Sequence, residues 1–393
     1  MPFALSHGAR IYWRADGAAD KPVLVLLNSI GCDLSLYDPV VPLLTPDFRV
    51  LRIDTRGHGA SDAPAGDYSL DLLADDVLAV MDAAGAAKAA IGGISLGGMI
   101  AMALAPRAPE RVEALVLACT SPAMDPSIWD QRLALVRAEG LSAIVEAVMG
   151  RFFSGDFRAQ HPEVVETVRA GMLAQSPDGY CGCGAAIRDM ALLDRLPAIT
   201  APTLVLTGAK DAATPYEGHA ERIVSAIPGA RHAVVGGAHL PSLEAPAAFA
   251  GAVRGFLAEV LHGSAVRDAK DVLFEAGLVT RRKVLGDAWV DKSLANRTAF
   301  TTDYQAMITR YAWNEIWGRP GLDHRTRRLL VLAICASLAR WEEFRLHVRA
   351  GFEQGGFTQD ELKETLMQIA IYAGVPAANT AFTEAADVMS ELG

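Results

Sequence analysis

The sequence contains only five cysteines in 393 residues, and they are scattered along the chain. An odd, dispersed set of thiols in a long chain does not suit the disulfide framework of a small secreted protein. Cys181 and Cys183 are separated by one residue, whereas zinc and redox pairs usually have two residues between the sulfur atoms. We therefore expect five buried thiols in a reducing compartment.

Basic residues are also fewer than acidic ones: the sequence has 36 Lys and Arg against 46 Asp and Glu, which gives a net charge of −10. Most of the negative excess lies in residues 1–262, and neither half has the basic field that nucleic-acid phosphates require. The short basic runs at residues 281–283 and 325–328 are more typical of solvated helix or turn faces. The sequence therefore predicts no nucleic-acid partner.

No targeting or membrane segment is recognisable in the sequence either. The first residues lack a basic stretch followed by an apolar one, so we expect no signal peptide. Residues 89–106 are uncharged and long enough for a membrane span, but they contain four glycines, a serine and a final proline. We expect a cytoplasmic protein without membrane contact. A hydrophobic content of 51% excludes disorder, and the length predicts two domains.

Strand and helix patterns alternate in the first half of the chain, which is typical of a mostly parallel sheet with crossover helices. Helical patterns alone fill residues 121–197, so we interpret that segment as a cap inserted between two strands. Residues 262–264 suggest a short linker, and residues 266–393 show only amphipathic helices, one of them opened by a capping box at 358–361. The sequence predicts an α/β domain over 1–262 and an all-α domain over 266–393. Within the first domain, strands are predicted at 23–27, 48–54, 89–92, 112–119 and 203–207, and a helix capped by Ser69 at 69–84.

Residues 93–97 read Gly-Ile-Ser-Leu-Gly between a predicted strand and a predicted helix. This pattern is typical of a nucleophile elbow, in which Ser95 occupies a sharp turn that side chains next to it would obstruct. Asp211 follows a later strand, and His239 follows the last one. The chain order Ser95, Asp211, His239 is that of an α/β-hydrolase triad, with His239 as the base and Asp211 as its orienting acid.

The oxyanion hole of such a site needs two backbone donors, for which we assign the N–H groups of Leu96 and Ile30. Asp54 and His58 precede the elbow and do not fit the triad order, so we interpret residues 54–61 as a structural turn. No metal-binding or nucleotide-binding motif is recognisable. We expect chemistry without a metal or cofactor.

The first 260 residues resemble the 3-oxoadipate enol-lactonases of the α/β-hydrolase superfamily. The resemblance rests on residues 28–31 (Asn-Ser-Ile-Gly), the elbow at 93–98, and the cap segments 177–180 and 185–189. It implies an anionic lactone substrate, so a cationic side chain must reach the pocket from the cap. Arg132, near Trp129, and Arg188 are the candidates.

Residues 266–393 resemble the 4-carboxymuconolactone decarboxylases. The resemblance rests on residues 311–317, 319–323, 345–350 and 372–379. Thiol-dependent relatives of that fold carry a Cys-x-x-Cys pair before a histidine, but Arg340 and Glu343 occupy those positions before His347, so we expect no thiol chemistry.

The decarboxylase resemblance implies a reaction in which the lactone itself accepts the electrons released with carbon dioxide. The protein then needs cations for the substrate carboxylates and an acid or oxyanion donor. We predict that His347 is this group, partly buried and with a pKa near neutrality. Arg328 and Arg345 are the predicted carboxylate-binding residues, Glu343 is expected to orient His347, and Glu315 is a further candidate.

The product of the decarboxylase family is the substrate of the lactonase family. The two resemblances together imply a bifunctional enzyme of protocatechuate breakdown through the 3-oxoadipate pathway, acting on small anionic lactones. One alternative is a hydrolase of another ester or lactone whose helical domain is a non-catalytic oligomerisation module. We also expect self-association through the helical domain.

Overall fold

The chain forms two compact units, Met1–Gly263 and Ser264–Gly393. The computed structural model describes residues 2–393, without the side chains of residues 262–265 and 267. Within these residues, no helix is both long and apolar enough to cross a membrane. The uncharged segment at 89–106 forms instead a buried strand and the helix that follows it.

The first unit is built on one eight-stranded sheet in the order β1-β2-β4-β3-β5-β6-β7-β8. β1 and β2 pair antiparallel, β2 also pairs antiparallel with β4, and the other neighbours are parallel. The predicted strands are confirmed, whereas sequence reasoning did not identify β1 and β2. The strands are β1 Phe3–Ser6, β2 Ala9–Asp16, β3 Val23–Leu27, β4 Arg49–Ile53, β5 Ala89–Ile94, β6 Val112–Ala118, β7 Thr203–Gly208 and β8 Arg231–Val235.

Helices cover the sheet and form the inserted cap. The Ser69 hydroxyl accepts from the Leu72 N–H and caps α2, as predicted. Between β6 and β7 the chain forms helices and no strand, which confirms the predicted cap over 121–197. The α-helices of this region are α1 Val41–Leu44, α2 Leu70–Ala83, α3 Leu96–Leu104, α4 Pro126–Glu139, α5 Val145–Phe152, α6 Gly155–Gln160, α7 Pro162–Leu173, α8 Pro177–Arg188, α9 Glu221–Ala226 and α10 Pro241–Glu244.

The second unit contains helices only, as predicted. Thr358 and Glu361 form the expected capping box, each side chain accepting from the other residue's backbone N–H. The predicted linker at 262–264 is wrong, because α11 runs without interruption through these positions; their side chains lie outside the described residues. The helices are α11 Pro246–Leu285, of which residues 264–285 belong to this unit, α12 Asp287–Ala295, α13 Thr302–Ile308, a π-helical segment Thr309–Trp317, α14 His324–Ser337, α15 Trp341–Glu353, α16 Gln359–Tyr372 and α17 Val375–Leu392.

All five cysteines are free and buried, which confirms the expectation from their spacing. Burial raises the pKa of the Cys181 thiol, and it does the same for Cys335. These thiols therefore stay protonated and unreactive at neutral pH.

Candidate active site

Ser95 lies on a strained turn between β5 and α3. Its φ of 55° and ψ of −114° are unusual for a residue with a side chain. The turn is held by two hydrogen bonds, from the Ser95 N–H to the Ala118 carbonyl (2.9 Å) and from the Thr120 hydroxyl to the Ser95 carbonyl (2.7 Å). Such strain persists only where the surroundings impose it, and it points to function.

The glycines on either side of Ser95 are required by close backbone contacts. A Cβ atom at Gly93 would lie 2.2 Å from the carbonyl carbon of Gly97, and one at Gly97 would lie 2.2 Å from the Leu27 carbonyl oxygen. No side chain fits at such distances without moving the strand or the helix. The Gly-x-Ser-x-Gly pattern therefore reflects the packing of α3 against the sheet.

Asp211 and His239 form a buried pair beyond the ends of β7 and β8. His239 Nδ1 lies 3.1 Å from both carboxylate oxygens of Asp211. Burial by itself would raise the pKa of Asp211, but His239 and the N–H groups of Ala213 and Thr214 outweigh burial and hold it well below its usual value. The carboxylate therefore stays ionised and fixes the imidazole, whose ring stacks on Phe152 at 5.5 Å.

The loop after β3 is organised by two side chains that reach into it. The Asn28 amide nitrogen donates to the carbonyls of Ser29 (2.9 Å) and Cys32 (2.7 Å). The Gly31 N–H donates to His58 Nε2 at 2.9 Å. In the described part of the chain, the N–H groups of Ile30 and Leu96 donate to no protein acceptor. Both donors therefore remain available for a substrate oxygen.

The turn at residues 54–61 supports the same loop, as the sequence predicted. The Asp54 carboxylate accepts from the Leu34 N–H (2.7 Å) and from the Ala60 N–H (2.8 Å). Burial lowers the pKa of His58 to about 4, so the ring is neutral at pH 7 and its Nε2 accepts the Gly31 N–H. These residues hold the loop after β3 and lie outside the His239–Asp211 pair.

Ser95 and His239 line one cavity between the sheet and the cap. The cap contributes two arginines, Arg132 on α4 and Arg151 on α5. The Arg132 guanidinium lies 4.8 Å from the centre of the Trp129 ring, and neither arginine has a carboxylate within 4 Å among the described residues. The remaining lining is mostly apolar: Ile30, Met99, Met124, Ile128, Trp129, Val148, Phe152, Ile187, Ala213 and Thr214.

Arg188, the other predicted cap cation, does not line this cavity. Its guanidinium contacts the carboxylates of Asp67 (3.0 Å), Asp189 (2.7 Å) and Asp130 (3.4 Å) on the surface. Three neighbouring carboxylates neutralise the cation, so Arg188 stabilises the cap and is not available to a substrate in the cavity.

In the helical unit, His347 lies on α15 and is 8% exposed. Its ring stacks on Trp317, with the ring centres 5.7 Å apart and the planes 6° from parallel. Burial, reinforced by the nearby Arg328 cation, lowers the pKa of His347 to about 4. The expectation of a pKa near neutrality is therefore wrong, because no carboxylate compensates the burial. Nδ1 of the neutral ring has no partner among the described residues.

The two arginines predicted to bind substrate carboxylates have other partners. Arg328 is buried and donates to the backbone carbonyls of Val284 (2.5 Å) and Ala350. Arg345 contacts the carboxylates of Glu384 (2.8 Å) and Glu391 (2.6 Å) on α17. In this arrangement Arg328 joins helices, and the charge of Arg345 is already neutralised.

The predicted acidic residues also lie away from His347. Glu343 is exposed one turn earlier on α15 and makes no hydrogen bond to the imidazole, whose Nδ1 is unpartnered. Glu315 is exposed and accepts from the Asn314 amide at 3.1 Å. Neither glutamate orients His347 in this structure.

Comparison with known proteins assigns the first unit. Residues 22–246 match the model of the alpha/beta hydrolase fold family. The chain belongs to the alpha/beta hydrolase fold family. It is 33% identical over 242 residues to 3-oxoadipate enol-lactonase 2 of Acinetobacter baylyi, covering 61% of this chain and 90% of that one. The enol-lactonase structure from Burkholderia xenovorans LB400 is 36% identical with a TM-score of 0.64, covering 65% of this chain and all of that one.

The helical unit matches a second family. Residues 302–387 match the carboxymuconolactone decarboxylase family model. A segment of 120 residues is 44% identical to 4-carboxymuconolactone decarboxylase of Acinetobacter baylyi, covering 30% of this chain and 89% of that one. The alpha/beta hydrolase is thus fused to a decarboxylase domain, which favours an enzyme over the alternative of a non-catalytic module.

Sequence reasoning missed residues of both candidate sites. The position of Asn28 directly after a buried strand, in the loop that contains Ile30, could have indicated a role in organising that loop. Its two hydrogen bonds, however, depend on how the loop folds. Arg151 gave no local signal, because only the arrangement of α5 over the sheet brings it to the cavity. In the helical unit, Trp317 belongs to the motif at 311–317, but only the structure shows it stacked on His347.

We expect the free energy of unfolding to fall as the pH decreases from about 6.5 to about 4, because the His58 pKa is lowered to about 4 in the fold. As the pH falls, His58 of the unfolded chain binds a proton at a higher pH than His58 of the folded protein. The contribution of His58 to the free energy of unfolding is therefore complete above pH 6.5 and is lost as the pH falls to 4. The loss is on the order of 3 kcal/mol. Urea unfolding between pH 4 and pH 8 measures it.

The matched variant is His58→Gln, whose amide oxygen can accept the Gly31 N–H but does not titrate. We expect a shallower pH dependence for this variant than for the wild type. The same slope in both proteins would contradict a role for His58 in the acid sensitivity.

Proposed function

We propose that this chain is a bifunctional enzyme that decarboxylates 4-carboxymuconolactone in its helical unit and hydrolyses the resulting 3-oxoadipate enol-lactone in its hydrolase unit. The observation that carries the proposal is the union, in one chain, of a strained serine with a buried His–Asp pair and a domain of the decarboxylase family. The first reaction produces the substrate of the second.

In the hydrolase unit, Ser95 Oγ attacks the lactone carbonyl carbon while His239 accepts the hydroxyl proton. The negative charge that develops on the carbonyl oxygen is stabilised by the N–H groups of Ile30 and Leu96. Asp211 holds the imidazole and stabilises its protonated form.

Collapse of this intermediate breaks the ring C–O bond and leaves an acyl group on Ser95. The leaving oxygen is an enolate, which takes the proton from His239 to give an enol, and the enol tautomerises to the ketone found in 3-oxoadipate. A water molecule then attacks the acyl carbonyl with His239 as base, and the Ser95 hydroxyl is restored as the new carboxylate departs. The two steps consume one water and need no cofactor.

The substrate carboxylate is held by the cap. Arg132 has a guanidinium without a carboxylate partner and lines the cavity of Ser95, while the Trp129 ring fixes its plane. Arg151 lies exposed at the same cavity and adds positive charge there. A lactone with a carboxymethyl group therefore meets its counter-charge on the cap and its oxyanion donors on the sheet.

We expect Arg132→Met to raise KM for the anionic enol-lactone by about 10- to 100-fold, because a charge-assisted contact is lost. The rate on a neutral ester of similar size should change little. Steady-state kinetics on the two substrates measures the difference. Arg188→Met is the matched control, since Arg188 lies on the same cap but outside the cavity. Equal losses on both substrates would contradict the assignment.

In the helical unit, departure of carbon dioxide leaves an electron pair that delocalises through the ring double bond onto the lactone carbonyl. The pair forms a new C–H bond when the ring carbon takes a proton from water. Because the His347 pKa is about 4, the ring is neutral at pH 7 and offers one N–H donor and one acceptor nitrogen. We assign His347 the role of hydrogen-bond donor to the lactone oxyanion, rather than that of a charged acid.

Self-association of the helical unit stays a prediction. Exposed apolar side chains on its helices support it, because monomeric proteins rarely leave so many uncovered. They include Ile334, Leu338, Ile371, Tyr372 and Val375.

The test is product analysis with 4-carboxymuconolactone and the purified full chain, without added lactonase. We expect 3-oxoadipate and carbon dioxide in equal amounts. Accumulation of the enol-lactone would contradict the hydrolase assignment, and unchanged starting material would contradict the decarboxylase assignment.

A further inference from the structure

The helical unit contains a cleft that none of the steps above uses. The cleft has a volume of about 350 Å³ and lies between α12 and α13. Cavities of this size are typical of small-molecule sites. Its lining is polar and cationic, with Lys292, Ser293, Arg297 and Gln305 around the ring of Trp289.

A buried arginine lies behind the wall of this cleft and contacts two of its lining side chains. Arg281 is 3% exposed, and its Nη2 donates to Ser293 Oγ at 3.0 Å and to Gln305 Oε1 at 3.4 Å. Both acceptors line the cleft. Nη1 lies 3.4 Å from Thr309 Oγ1, while the buried Nε has no partner among the described residues.

The charge of Arg281 is left without an anion. The guanidinium faces the rings of Trp289 (5.2 Å) and Trp313 (5.9 Å), and its hydrogen-bond partners are neutral. Burial lowers the pKa of Arg281, and the nearby Arg297 lowers it further, so two cations are close together. Over the described residues, no carboxylate lies within 4 Å of Arg281, Lys292 or Arg297.

Other arginines of this unit are compensated. Arg282, one residue further on α11, contacts the carboxylates of Asp287 and Asp291. Arg345 contacts two glutamates, and Arg328 donates to two backbone carbonyls. Buried charges in proteins are normally paired, so the unpaired Arg281, behind a cleft that also carries the exposed cations Lys292 and Arg297, points to an anion bound there.

We propose that the cleft beside Arg281 is a binding site for a small organic dicarboxylate. The exposed cations Lys292 and Arg297 would bind its carboxylates, the positive charge of Arg281 behind the wall would strengthen that binding, and the Trp289 ring provides an apolar surface for the carbon chain. That surface favours an organic dianion over inorganic phosphate. The site is separate from His347, since the rings of Trp313 and Trp317 are stacked between them.

The test is a calorimetric titration of the full-length Arg132→Met protein with adipate, a six-carbon dicarboxylate without reactive groups. The Arg132→Met background weakens binding in the hydrolase cavity. We expect adipate to bind in the helical unit, to bind at least about tenfold more tightly than phosphate, and to weaken as salt increases. Adipamide, its uncharged analogue, should not bind.

Arg297→Met is the main variant, because Arg297 is exposed and its replacement leaves the fold intact. We expect about tenfold weaker adipate binding from the loss of one charge-assisted contact. Arg282→Met is the matched control and should bind like its parent. Arg281→Met, with folding checked by circular dichroism, should also weaken adipate binding, because the buried charge behind the cleft is lost. Absence of adipate binding, equal affinity for phosphate, or the same loss in Arg282→Met would overturn the proposal.

Discussion

Ser95→Ala is expected to lower enol-lactone hydrolysis by about 10⁴- to 10⁶-fold, because the nucleophile is lost while the fold is kept. The small side chain fits the same strained turn, whose hydrogen bonds come from the backbone of Ser95. Decarboxylation should continue, so that enol-lactone accumulates from 4-carboxymuconolactone. Chromatographic analysis of the products over time measures both reactions in one sample.

Ser225→Ala is the matched control, since Ser225 is an exposed serine of the same unit whose hydroxyl only donates to the Glu221 carbonyl. Its hydrolysis rate should equal that of the wild type. If Ser95→Ala hydrolysed the lactone at close to the wild-type rate, the nucleophile assignment would be wrong.

His347→Ala is expected to lower decarboxylation by about 10²- to 10⁴-fold and to leave hydrolysis unchanged. The physical reason is the loss of a buried N–H donor whose orientation is fixed by stacking on Trp317. Since the His347 pKa is about 4, ionisation of this residue should leave the wild-type rate unchanged between about pH 5.5 and pH 8. A charged acid with a pKa near neutrality would instead make the rate fall across that range.

Folding of the variant should be checked by circular dichroism, because removing a buried ring leaves a cavity. His324→Ala is the matched control: His324 belongs to the same unit, is half-buried, and its Nε2 contacts the Trp317 carbonyl. A folded His347→Ala protein that decarboxylates normally would show that His347 is structural and would direct attention to other residues of the helical unit.

The elements of the fold could be predicted where local patterns carry the information. Buried strands such as Val23–Leu27 are continuous apolar runs, and the capping box at Thr358 is set by residues three positions apart. The first two strands escaped notice, because β1 and β2 are short and partly exposed and gain their stability from pairing with each other and with β4. A local sequence pattern does not predict such pairing between strands.

The hydrolase site was predictable for a similar reason. A Gly-x-Ser-x-Gly turn restricts the backbone locally, and Asp211 and His239 follow strands whose order in the chain is readable. The sequence could not show which of Arg132 and Arg188 reaches the cavity, because both are cap arginines near aspartates or aromatic rings. Only the folded cap leaves one in the cavity and surrounds the other with three carboxylates.

By itself, then, the sequence predicted an α/β sheet followed by helices, the candidates Ser95, Asp211 and His239, and the resemblance to two enzyme families, since these depend on local patterns and their order. Only the tertiary structure decided which of the charged and titratable side chains have partners. Burial without a carboxylate lowers the pKa of His347, glutamates on α17 occupy Arg345, and Arg281 is left unpaired beside a cleft. Charge compensation depends on distances between residues that are far apart in the chain, and no spacing in the sequence specifies those distances.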